Sequence, residues 1–185
     1  LSTPLVRDTR DSVVFKAWAY HKREDDANTF DTFSHWLGRH YRPGSEVEHT
    51  ILMARIANEA GDYEACLERV APYLDGRKEG IARDQCLLMA GVSCAKLNRP
   101  GEAKAHLSRL LDEHHGSARR PKAMLLLGWM ALVDGDEETA AERLNGILSE
   151  YPKDPISKKA RQLLQGIESR QARKKTVSSS ERETF

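Results

Sequence analysis

The residues best able to do chemistry in this chain are seven histidines and three cysteines, spread along 185 residues. A protein metal site needs three or four imidazole, thiolate or carboxylate donors converging on one point. His35 and His40 stand five apart, a poor match to one helical face. His106 and the His114–His115 pair approach one face across two turns, but no cysteine or carboxylate cluster at ligand spacing joins them. They read as surface histidines on helices, and no metal is expected. Cys66, Cys86 and Cys94 are odd in number and fall on helical patterns, so they read as small buried hydrophobes. Whether any pair of them is bonded stays open. No nucleophile sits beside a base and an orienting acid in a recognisable motif, and no glycine-rich phosphate loop is present. The expectation is a non-catalytic protein with no cofactor and no small-molecule substrate.

Charge narrows the partners further. Lys+Arg 29 against Asp+Glu 28 leaves a net charge of +1, so general attraction to nucleic acid or membrane is not indicated. Local basic runs occur at Arg170, Arg173, Lys174 and Lys175, and at Arg119, Arg120 and Lys122. Without interleaved aromatics for base stacking they read as solvated faces, and a nucleic-acid role is disfavoured. No apolar run approaches the roughly eighteen residues that a transmembrane helix needs. The chain begins at Leu1 rather than Met, the pattern of a trimmed fragment whose targeting segment is missing. Localisation therefore stays open between the cytoplasm and a bacterial cell envelope.

The elements that must position these residues are clearest from Met124 to Pro152. Met124, Leu127 and Ala131 fall at helical spacing before Gly135–Asp136; Ala140, Leu144, Ile147 and Leu148 do so after it. Gly135 suits the left-handed residue that ends one helix, and Asp136 suits the N-cap of the next. The unit is a helical hairpin of about thirty residues. It recurs upstream with a period of 37, the distance from Gly91 to Gly128. The small column runs Ala17, Ala54, Gly91, Gly128, and the turn column Glu24, Gly61, Asn98, Gly135. Three more columns keep their chemistry: Thr29, Cys66, Ala103, Ala140; then Phe33, Val70, Leu107, Leu144; then Trp36, Tyr73, Leu110, Ile147. Small residues let paired helices approach, large apolar ones fill the space between pairs, and a lone hairpin cannot bury its face.

This pattern resembles the tetratricopeptide repeat family, whose small, Gly-Asp turn, Ala and closing Pro positions appear here as Gly128, Gly135–Asp136, Ala140 and Pro152. The resemblance covers roughly Ser12 to Pro152 and is best in the last two units. It implies an all-α solenoid of stacked antiparallel helix hairpins, about four repeats plus a C-terminal capping helix. The usual period is about 34 residues, so extra residues are expected between these hairpins.

In chain order, residues 1–11 read as a lead-in, 12–170 as one repeat domain and 171–185 as a flexible polar tail. Ser12 caps a helix from Val13 to about Lys22, and a second runs from Asn28 to Tyr41. The next pairs span about Glu46–Ala60 with Tyr63–Leu74, and Ile81–Leu97 with Pro100–His114. The last pair begins near Ala118, and the capping helix covers Ile156 to about Arg170, with Ala160, Leu163, Leu164 and Ile167 on one face.

The first helices of stacked pairs line the concave binding face of a solenoid. Positions three before, one after and four after each small residue give Val14, Trp18 and His21; Ile51, Arg55 and Asn58; Leu88, Val92 and Ala95; Leu125, Trp129 and Leu132. Lys122 joins this groove set. The lining is apolar, with Trp18 and Trp129 as anchors and Arg55 and Asn58 for polar specificity. Relatives that grip chaperone tails use a Lys/Asn/Arg carboxylate clamp. The matching positions here are Val14, Trp18, Leu52, Gln85 and Met89 in one frame, and Ile51, Arg55, Met89, Lys122 and Leu126 in the next. Neither supplies the clamp. The expected partner is a protein or peptide offering an apolar helical or extended segment, with homo-oligomerisation as the alternative. Similar bacterial repeat proteins serve in cell-envelope assembly, which the resemblance makes one setting for such an adaptor.

Overall fold

A computed structural model of the protein describes residues 45–75 and 83–182. The lead-in, both helices expected of the first hairpin, the connector at 76–82 and the last three residues lie outside them. Seven helices and no strand make up the described part: α1 (Ser45–Ala60), α2 (Tyr63–Leu74), α3 (Arg83–Lys96), α4 (Pro100–Glu113), α5 (Arg120–Val133), α6 (Glu137–Glu150) and α7 (Ile156–Arg182). That is the all-α pattern of helical hairpins which the periodicity implies.

The hairpin turns explain why the chain folds this way locally. Gly61, Asn98 and Gly135 all adopt left-handed geometry, with φ of 92°, 57° and 82°. Each is followed by the same closing bond: the N–H of Asp62 donates to Ala57 O at 2.9 Å, Arg99 to Cys94 O at 2.8 Å, and Asp136 to Ala131 O at 2.9 Å. Donors and acceptors alike step by 37 residues, so one helix-terminating motif is used three times. Asp62 and Asp136 then cap the following helices, accepting from the N–H of Ala65 at 3.1 Å and of Thr139 at 3.0 Å. In the middle turn Pro100 starts α4 instead, its fixed φ suiting a first helical residue.

Contacts divide the chain into two compact units, one ending at Arg99 and one beginning at Pro100. The sequence expectation was a single repeat domain; repeats touch only their neighbours, so contact networks of this kind divide easily. In the first unit α2 packs against α1 and α3, and α1 touches α3. Ala54, Cys66, Val70, Cys86, Leu87, Ala90 and Cys94 are fully buried there. In the second, α5 packs against α4 and α6, and α7 lies against α6 and α5. Its core is Ala103, Leu107, Leu110, Ala123, Ala140, Leu144, Ile147 and Ala160. Every described residue of the repeat columns, Tyr73 included, is buried except those in the turns. The three cysteines are buried free thiols.

An arginine fixes the entry of two hairpins. Arg83 donates through Nη2 to the carbonyl of Leu74 at 3.1 Å, and Arg120, 37 residues on, donates through Nη1 to the carbonyl of Leu111. Each reaches back from the first turn of a hairpin to a carbonyl in the last turn of the preceding helix. Arg120 also donates through Nε to the Tyr151 hydroxyl at 3.1 Å, tying down the end of α6.

Two boundaries differ from the sequence expectation. α5 starts at Arg120 rather than near Ala118, because Ser117 Oγ accepts the Arg119 N–H at 3.0 Å in a turn and Pro121 sets the first helical residues. α7 continues to Arg182 instead of giving way to a tail after Arg170. No Gly or Pro follows Gly166, and Gln171 to Lys175 are good helix formers. Gln171 Nε2 donates to Glu137 Oε2 at 3.3 Å, so α7 has drawn level with the start of α6 there.

Candidate docking face

On α5, residues 122, 125, 126, 129 and 133 follow the spacing that places side chains on one side of a helix. The opposite side is committed to packing: Met124, Leu127, Gly128 and Ala131 are buried. A Cβ added at Gly128 would stand 3.3 Å from Leu144 Cγ, which shows how closely α5 and α6 approach. At its far end the Asp134 carboxylate pairs with Lys104 of α4. The helix is thus held from behind and at its end while its front stays open. On that front Trp129 is 51% exposed and Val133 65%, the exposed large hydrophobics among the described residues. Leu125, Leu126 and Leu132 are half-buried beside them, and Lys122 is exposed. Large rigid aromatics with an open face are favoured anchors for a partner.

The groove set expected from the sequence is only partly assembled. Lys122, Leu125 and Trp129 share the α5 face, flanked by Leu132. In the first unit Ile51 is half-buried and Arg55 exposed on α1, while Val92 and Ala95 are half-buried on α3. Leu88 does not line an open surface: it is 9% exposed, with Leu87 and Met89 buried beside it in a helix covered by α1 and α2. Asn58 is used within the fold, its Nδ2 donating to Ser93 Oγ at 2.8 Å. Val14, Trp18 and His21 lie outside the described residues.

Ser93 is fully buried, and the Cys66 thiol lies with Ser93 and Asn58. Burial pushes that thiol above its ordinary value, against the hydrogen bonds from Ser93 and Asn58 that favour the thiolate. The site is a satisfied polar pocket in the core, where a neutral thiol is inert. Among the described residues no group of three or more His, Cys, Asp or Glu is placed to hold a metal ion. None of the described helices is long and apolar enough to cross a membrane.

Two features escaped the sequence reading. Val133 belongs to the exposed face, one turn from Trp129, and helical spacing alone would have found it. The Arg83 and Arg120 contacts sit at the repeat distance, so a search for repeated charged residues would have found them too.

Residues 122–154, the span of α5, α6 and the turn beyond, match the family model described as tetratricopeptide repeat. No curated protein matches the chain.

Proposed function

We propose that this protein, which carries a tetratricopeptide repeat from α5 to the end of α6, is a non-catalytic scaffold for a protein partner. Its partner lays an apolar helical or extended segment along the front of α5. The observation that carries this reading is the pairing of exposed Trp129 and Val133 on a helix fixed from behind. A monomer with no use for such a face loses solubility by keeping it. Arg55, exposed, and Ile51, half-buried, give α1 of the first unit a more polar surface of its own.

The test is site-specific photo-crosslinking in the cells that make the protein. A photoreactive residue at Val133 should trap a partner, and the same residue at Glu138, exposed on α6, should not. Adding Trp129→Ala should remove the Val133 adduct while leaving the helical circular dichroism intact. A Val133 adduct made only with a second copy of the chain would replace the scaffold reading with self-association. Equal adducts with and without Trp129→Ala would remove the face from consideration.

A further inference from the structure

The charges around the α5 front are not evenly placed. Pro121, Met124 and Ala131 of α5 are buried, and 36 residues later so are Ser157, Ala160 and Ile167 of α7. Helix α7 therefore sits beside α5 as the next first helix of the array, in contact with both α5 and α6. The same offset sets Lys158 level with Lys122, and Arg161 level with Leu125. All three cations are exposed. Gln165 falls level with Trp129, and Glu168 only with Leu132. The nearest acid past Val133, Asp134, is already paired with Lys104. One end of the face is thus cationic and the other apolar, and the amino-terminal ends of α5 and α7 add partial positive charge at the cationic end.

We infer that the segment docking here is acidic and amphipathic, with carboxylates facing Lys122, Lys158 and Arg161 and a large apolar side chain against Trp129. This rests on the docking reading above. Lys122 and Trp129 are seven residues apart, about 10 Å along a helix. A helical partner meets both ends with acid and anchor about seven residues apart, and an extended one with about three. A phosphate polymer answers the cations but leaves Trp129 and Val133 in water, so the combination favours a protein segment.

The experiment uses the full chain and two synthetic helical peptides with the same leucine face. One carries glutamates seven residues from the anchor leucine, and the other carries lysines there. The Trp129 indole resonance, assigned with Trp129→Phe, reports occupancy. The acidic peptide should shift it and bind about tenfold tighter than the basic one, the combined effect of three exposed ion pairs. Lys122→Glu with Lys158→Glu and Arg161→Glu should reverse the preference, and arginine at the two lysine positions should keep it. Equal affinity for both peptides, with Trp129 shifting, would keep the docking face and overturn the acidic preference. Failure of both peptides to move Trp129 would overturn both readings.

Discussion

The side-chain amide of Asn58 donates to Ser93 Oγ across 2.8 Å, joining α1 to α3 through the interior of the first unit. A residue whose position on the first helix suggested ligand specificity is thereby a structural bridge. Removing it leaves the fully buried Ser93 hydroxyl short of a donor, which costs about 1–3 kcal/mol. Asn58→Ala should lower the unfolding free energy measured in urea by that amount and leave capture at Trp129 unchanged. Combined with Ser93→Ala it should cost less than the two single changes added together. Strict additivity would mean that the bond contributes nothing.

Arg120 should stabilise the second unit through two bonds at once. It donates to the carbonyl of Leu111 and to the Tyr151 hydroxyl, the latter at 3.1 Å. Hydrogen bonds from a charged group are worth about 1.5–3 kcal/mol. Arg120→Met should therefore destabilise beyond Tyr151→Phe, which removes only one of the two. Chemical denaturation of both variants gives the ranking, and a Tyr151→Phe loss equal to that of Arg120→Met would sink the argument.

Gly128 and Gly146 should respond oppositely to alanine. A helical glycine replaced by alanine gains about 1 kcal/mol where space allows. At Gly146 the new methyl meets only Met124 Cε at 2.8 Å, the mobile end of a flexible side chain. At Gly128 it meets Leu144 Cγ at 3.3 Å, and Leu144 is fully buried with nowhere to move. Gly146→Ala should raise the thermal midpoint and Gly128→Ala should lower it. A rise for both would show that α5 and α6 can separate freely.

Acid should weaken the second unit through His106. Burial holds its imidazole below the ordinary 6.5, with the Arg109 charge adding to the effect and Glu102 opposing it. The unfolded chain thus takes up the proton first. The neutral ring's contribution is complete above pH 6.5 and is lost as the pH falls through the folded value. His106→Gln should flatten the loss of stability between about pH 7 and 5 relative to the natural protein. Parallel pH profiles would show that His106 titrates alike in both states.

The sequence by itself determined the repeat. A left-handed residue, two small contacts and two large apolar positions recur at a fixed distance because each answers a local steric or burial demand, met again in each described hairpin. That made the hairpin turns at Gly61, Asn98 and Gly135, the Asp136 cap and the buried columns legible from residue types alone. The tertiary structure decided which residues off those columns stay open. Leu88 and Leu125, 37 residues apart, hold matching positions on their helices, yet Leu88 is 9% exposed while Leu125 stays half-buried beside the exposed Trp129. Asn58 looked available until Ser93, 35 residues away, was brought beneath it. Such outcomes depend on what distant segments place over a side chain, and periodicity within one helix carries no information about that.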